Sequence, residues 1–312
     1  MEYILIVVGL GILIFGGDFL VKGASGLAMR FKMPPMLIGM TVVAMGTSAP
    51  ELVVTVQAAL AGKPDIAIGN VVGSNIANVA LILGITIIIF PITIKKDSLK
   101  FDWVVMMLAS LLFFIFALDG GISRLEGLIF LFGLITFIIY SFYRVRTKQK
   151  KDIAIPIEAQ SKPRRLIVYL FFVVIGICGL VFGARWFLEG AEAIARNIGV
   201  SDRVIAVSLV AFGTSVPELA ASVIAAFKKE QDISLGNIIG SNLFNILAIL
   251  GITSLISPIS VAPEIMNDNI YWMLATSFVI LPLGIYKLRL GRWQGVLLLT
   301  SYIVFMYFVL SS

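Results

Sequence analysis

The sequence predicts an all-α polytopic membrane protein. Ten transmembrane helices form two inverted five-helix repeats, with helices two/three and seven/eight broken around a polar centre. Three observations carry this expectation. Of 312 residues 59% are hydrophobic and 13% charged, with mean hydropathy +1.03, too few charges to cover a soluble domain of this length. The basic residues alternate between rich and poor loops. A shift of 167 residues lays the second half on the first.

A helix needs about 20 apolar residues to cross the hydrocarbon. That length places spans near 3–21, 35–61, 66–91, 103–118, 122–142, 166–187, 204–227, 233–257, 270–286 and 293–310. The apolar start has no basic region before it and no small-residue cleavage site before Asp18, so it reads as the first span rather than a removed signal. With the N-terminus outward, 19 of the 24 basic residues fall in inside loops, as the positive-inside rule requires. Both termini are then extracytoplasmic, and the net charge of +6 is explained by topology without nucleic acid. The segment 143–165, YRVRTKQKKDIAIPIEAQSKPRR, reads as a short basic cytoplasmic linker between a first repeat, 1–142, and a second, 166–312.

The repeat is most exact at its polar positions. GTSAPEL at 46–52 recurs as GTSVPEL at 213–219, and GNVVGSNIANVALILGIT at 69–86 recurs as GNIIGSNLFNILAILGIT at 236–253. An odd number of spans per half sends the second copy into the membrane from the opposite face. The copies are then related by a pseudo-twofold axis in the membrane plane, the inverted-repeat design of many secondary transporters.

Glu51 and Glu218 are the residues this pattern makes hardest to explain as scaffold. Each lies mid-span, next to a proline that removes one helical N–H and clashes with a carbonyl four residues back. Neither has a basic residue at matching depth, and an uncompensated carboxylate at mid-bilayer costs at least a few kcal/mol. Thr47, Ser48, Thr214 and Ser215 bring hydroxyls. Ser74 and Asn78, with Ser241 and Asn245, lie on one helix face a turn apart. Every donor in this set is a hard oxygen, suited to Ca²⁺ or Na⁺. The glycines of the second motif, with Asn70, Asn75, Asn237 and Asn242, read as helix packing and interhelical hydrogen bonding. Asp18 and Arg185 are equivalent in position but opposite in charge, so they read as residues near span ends that snorkel or pair locally. Trp103, Trp186, Trp272 and Trp293 lie at proposed span ends, as an interfacial belt would. Cys178, the single cysteine, reads as core filler.

The paired motifs GTSAPEL/GNVVGSNIANV and GTSVPEL/GNIIGSNLFNI resemble the two alpha-repeats of the calcium/cation antiporter superfamily, and look most like the prokaryotic sodium/calcium exchangers. The resemblance covers essentially the whole chain. It implies that Glu51 and Glu218 are the central carboxylates of a calcium site that also serves sodium. It further implies that Thr47, Ser48, Thr214 and Ser215 serve through hydroxyl or backbone oxygens, that Ser74 and Ser241 complete outer sodium sites, and that Asn78 and Asn245 line the centre. Spans one and six, rich in Gly9, Gly11, Gly16, Gly17, Gly176, Gly179 and Gly183, would slide against the other eight. Asn245 stands where several relatives carry aspartate, which weakens the case for potassium co-transport. The implied activity is sodium/calcium antiport in the plasma membrane, with Na⁺ and Ca²⁺ as substrates, lipid as surroundings, and no cofactor or obligatory protein partner. The alternatives are a calcium/proton or other cation/proton antiporter of the same fold, and, in a different class, an ion channel. An enzyme is disfavoured: the chain has no histidine, and neither motif has a lysine.

Overall fold

The computed structural model describes residues 1–94, 98–151, 165–200, 212–263, 265–285 and 288–311. Its helices are α1 (Glu2–Phe31), α2 (Pro35–Thr47), α3 (Ala49–Leu60), α4 (Pro64–Ile89), α5 (Trp103–Ala117), α6 (Arg124–Lys151), α7 (Leu166–Asn197), α8 (Val216–Phe227), α9 (Gln231–Ile256), α10 (Ile270–Ile285) and α11 (Arg292–Ser311). Among the described residues seven helices are long and apolar enough to cross a membrane, or eight if α2 and α3 form one bent span. The expected start of the seventh span, up to residue 211, lies outside the described residues.

Local chemistry sets the ends. Lys32, at φ 54°, caps α1 in the left-handed conformation and returns its N–H to Ala28 and Met29 carbonyls. Pro35 and Pro64 then open the next helices, where a missing N–H costs nothing. Gly62, at φ 68°, makes the turn between α3 and α4. Two helices run beyond their expected spans: α1 continues to Phe31 and α7 to Asn197. Helix α6 likewise continues to Lys151, into the segment read as linker; residues 152–164 lie outside the described set. Charged and small residues carry these helices on past the apolar stretch that hydropathy detects.

The centre is made by α4 and α9. Buried residues fill 78% of the most apolar stretch of α4 and 83% of that of α9, against 28–33% for α1, α6, α7 and α11. The outer helices present large apolar side chains outward, such as Phe15, Phe132 and Ile303, the surface a lipid solvent favours. Two short antiparallel strand pairs tie the halves together. Ile92–Thr93 pairs with Arg289–Leu290, and Gly121–Ile122 with Ile259–Ser260. In each pair one strand comes from either half, and Ile92, Ile122, Ile259 and Leu290 are buried.

Helices α1 and α7 pack on each other along their length through glycine. A Cβ on Gly16 would lie 2.7 Å from the Leu180 N, one on Gly176 2.5 Å from the Leu20 N, and one on Gly9 2.5 Å from the Phe187 N. Gly11 faces open space and takes no part. Cys178 is exposed on α7, not in the core; the glycine face of α7, including Gly176 and Gly179, takes the contact with α1. Trp103 also departs from expectation. It turns inward from α5 and donates its indole N–H to the Ser277 carbonyl at 2.9 Å, which satisfies the one polar atom that burial would strand.

Asp18 and Arg185 pair locally, as expected. Asp18 meets Lys22 at 2.6 Å and also Lys228, at the end of α8, while Arg185 meets Glu189 at 2.8 Å. Since these groups keep some exposure, Asp18→Asn is expected to destabilise by under about 1 kcal/mol. In detergent that is a fall in melting temperature of about 2 °C or less.

Candidate functional site

The site begins at two helix breaks. Helices α2 and α3 meet at 46°, with Ser48 at φ −83°, ψ 7° between them. Pro50 stands in the first turn of α3, so Glu51 occupies that turn as well, where free N–H groups and the helix dipole favour a negative charge. The second copy repeats this. Ser215 has φ −88°, ψ 2°, and Pro217 and Glu218 lie in the first turn of α8, preceded by a 3₁₀ turn, Gly213–Ser215.

The partner helices α4 and α9 differ from expectation. Each is one continuous helix, without the break expected at spans three and eight. Instead each widens into π-helical turns, Ala77–Leu83 in α4 and Phe244–Leu250 in α9. Neither run contains a proline to remove an N–H. The π turns carry Asn78 and Asn245, the placement often found where a helix serves a site.

Nine of the ten candidate residues are 2% exposed or less, among them both glutamates; Ser215 and Ser241 are fully buried, while Thr214 is part-buried. The halves interlock at the centre. Ser48 Oγ donates to Glu218 Oε1 at 2.9 Å. Thr47 Oγ1 donates to Asn237 Oδ1 at 3.1 Å, and Thr214 Oγ1 donates to Asn70 Oδ1 at 3.2 Å. Ser74 Oγ and Thr214 Oγ1 are 3.5 Å apart.

What the cage leaves unsatisfied is its main feature. Both Glu51 carboxylate oxygens and Glu218 Oε2 are buried without a hydrogen-bond partner among the described residues. So are Asn78 Oδ1, Asn245 Oδ1, Ser215 Oγ and Ser241 Oγ. No group of three or more acidic, histidine or cysteine side chains that could hold a metal gathers in the described residues, so among those residues the donor set is two carboxylates and neutral oxygens. A cavity of about 330 Å³ borders the cage at Thr214, lined also by Pro50, Gly213 and Pro217 and by Arg185 and Glu189 of α7.

Asn70 and Asn237 pack the helices, as expected, but their bonds have a specific shape. Asn70 Nδ2 donates to the Glu51 carbonyl at 3.2 Å and to Thr55 Oγ1 at 2.9 Å. Asn237 Nδ2 donates to the Glu218 carbonyl at 3.5 Å and to Ser222 Oγ at 3.0 Å. Each asparagine therefore holds the first turn of its own broken helix and, through Oδ1, the threonine of the other half. Thr55 and Ser222 were not singled out from sequence, though they too stand 167 residues apart.

A helical membrane protein centred on two unneutralised carboxylates and a shell of hard oxygens falls in the cation-transport class. The family described as sodium/calcium exchanger protein matches residues 1–143 and 168–311, and the chain belongs to that family. It is 38% identical to the putative antiporter CaxA of Alkalimonas amylolytica, over 99% of this chain and 98% of that one. It is 33% identical to the sodium/calcium exchanger MaX1 of Methanosarcina acetivorans, over 98% and 97%. Its structure matches the sodium-calcium exchanger NCX_Mj, soaked with 2.5 mM Na⁺ and 0.1 mM Ca²⁺, with TM-score 0.83, 32% identity and 98% and 97% coverage. These relatives are transporters, not enzymes, and the chain is a cation/calcium antiporter of that family.

Proposed function

We propose that the protein exchanges sodium for calcium across the plasma membrane by alternating access, with Glu51 and Glu218 as the carboxylates that hold either ion. The observation that carries this reading is the set of three buried carboxylate oxygens with nothing to accept from among the described residues. Two ionised carboxylates match one Ca²⁺, and at least two Na⁺ are needed to replace it. A third sodium, held by neutral oxygens of Ser74, Ser241 and their neighbours, makes the cycle electrogenic. Thr47, Ser48, Thr214 and Ser215 supply further hydroxyl or backbone oxygens, and Asn78 and Asn245 supply carboxamide oxygens. Since Na⁺ and Ca²⁺ compete for the same carboxylates, each expels the other. An empty cage leaves two charges in low dielectric, which opposes crossing unloaded.

The chain acts as two inverted five-helix repeats, 1–142 and 166–312, joined by the basic cytoplasmic segment 143–165, with ten spans and both termini extracytoplasmic. The matched bonds made by Asn70 and Asn237, each with the glutamate of its own half and the threonine of the other, support the pseudo-twofold. In this orientation the cavity beside Arg185 opens outward, and the Asp18–Lys228 pair lies at the cytoplasmic end. Helices α1 and α7 slide as a pair to move access to the other side. Substrate ions and lipid are the partners this requires; nucleic acid and an obligatory protein partner are not.

The test is uptake of labelled calcium into reconstituted vesicles under an outward sodium gradient. Uptake that depends on the gradient and accelerates with an opposing membrane potential supports electrogenic exchange. Uptake driven by a pH jump without sodium transfers the reading to proton coupling, and current far above carrier rates transfers it to a channel.

A further inference from the structure

Two chains of side-chain hydrogen bonds run inward from α10 and α5 to the cage. In the first, Asn75 Nδ2 of α4 donates to Met273 Sδ of α10 at 3.6 Å, and Asn245 Nδ2 of α9 donates to Asn75 Oδ1 at 3.1 Å. In the second, Asn242 Nδ2 of α9 donates to Met106 Sδ of α5 at 3.5 Å, and Asn78 Nδ2 of α4 donates to Asn242 Oδ1 at 3.1 Å. All six residues are 1% exposed or less. Each chain ends on a carboxamide oxygen, of Asn245 or Asn78, that is buried and unpartnered. Met106 and Met273 are themselves 167 residues apart, as are the asparagines.

We infer that Asn75 with Met273, and Asn242 with Met106, are positioning residues that turn the oxygen, not the NH₂, of Asn245 and Asn78 toward the bound cation. The inference rests on the exchange reading above. A carboxamide has two ends of nearly equal size and opposite polarity, and packing alone does not choose between them. The choice has to come from a partner that can only accept or only donate. A thioether has no proton to give, so the amide end facing Met273 is the NH₂ of Asn75. The Asn75 oxygen then faces Asn245, which must answer with its own NH₂, and the Asn245 oxygen is released to the cage. The same logic runs from Met106 through Asn242 to Asn78. A hydroxyl in place of the sulfur would break the chain of command, since it can donate as well as accept. Soft sulfur also does not compete for a hard cation.

The experiment is the half-saturating calcium concentration and the maximal rate of sodium-driven uptake in vesicles. Asn75→Leu is expected to raise half-saturation about tenfold, the scale of one lost hydrogen bond in a buried network, with little change in maximal rate. Met273→Leu, close in volume, is expected to raise it about threefold, as a weaker acceptor is lost. Met273→Leu should add nothing in the Asn75→Leu background, yet keep its full effect in an Asn242→Leu background, because neighbours in one chain are coupled and the two chains are separate. Equal Met273→Leu effects in both backgrounds overturn the relay, as does an unmoved half-saturation in the single variant, which also decides the matter if Asn75→Leu does not fold. Wild-type vesicles without sodium-driven uptake would sink the exchange reading and the relay together, whereas wild-type exchange with an unmoved Met273→Leu sinks the relay alone.

Discussion

Glu51→Gln is expected to abolish calcium uptake driven by an outward sodium gradient, and Glu218→Gln to do the same. With one carboxylate neutralised, a bound Ca²⁺ keeps one uncompensated charge in a dry cage. Removing one partner of a buried charge pair costs about 3–5 kcal/mol, which lowers calcium affinity by about two to four orders of magnitude. Glu51→Asp keeps the charge and retracts the oxygens, so it should retain part of the uptake. A single Na⁺ still matches the remaining carboxylate, and sodium binding should therefore outlast calcium binding in the Gln variants. Undiminished uptake by Glu51→Gln removes the glutamate from the site. A thermal measurement separates loss of binding from loss of fold. In wild-type protein, Ca²⁺ at a hundred times its dissociation constant stabilises by about 2.7 kcal/mol, so chelation should lower the melting temperature. Glu51→Gln should show no calcium-dependent shift, and in chelator it should melt at or above wild type because one buried, unpaired charge is gone.

Much of this site was legible before any coordinates, and the reason is specific. A carboxylate beside a proline in an apolar span is so costly that function is the economical explanation, and finding it twice at one offset removes chance. The offset identifies equivalent residues, however, and says nothing about which of them touch. That Thr47 reaches Asn237 while Thr214 reaches Asn70, so that each asparagine serves both halves, is a property of how the repeats interlock. Met106 and Met273 carried the same offset but were unremarkable as two of 11 methionines in apolar runs. Hydropathy found the apolar centre of α1 and stopped near Asp18 and Lys22, whereas Asp18 is paired with both Lys22 and Lys228 and the helix continues past it to Phe31. The continuity of α4 and α9 was equally hidden, because a π turn needs no proline or other residue that marks a break.

Gly16→Val is the second large effect, and it tests motion where Glu51→Gln tests binding. Gly16 meets α7 backbone to backbone, and its Cβ would lie 2.7 Å from the Leu180 N and 2.8 Å from the Gly179 carbonyl carbon. Backbone atoms cannot swing aside as a side-chain tip can, so α1 and α7 must separate to admit the branched side chain, and overpacking of this kind costs about 1–3 kcal/mol. Sliding one helix pair over a fixed bundle requires the pair to keep its own contact through both end states. A wedge at Gly16 breaks that contact and leaves the cage, which is built from α2, α3, α4, α8 and α9, untouched. The expected result is uptake reduced by about tenfold or more through the maximal rate, about 1.4 kcal/mol in barrier height, with calcium-dependent thermal stabilisation preserved. Gly11→Ala is the matched control. It lies on the same helix, has nothing within 4 Å of the added methyl, and gains helix propensity of up to about 1 kcal/mol. Its uptake should match wild type, and its melting temperature should hold or rise. If Gly16→Val exchanges at the wild-type rate, then α1 and α7 do not move as one unit, and access to the carboxylates alternates by some other helix. If Gly16→Val instead loses calcium-dependent stabilisation, the contact between α1 and α7 helps to shape the cage itself, and binding and motion are not separable along this seam.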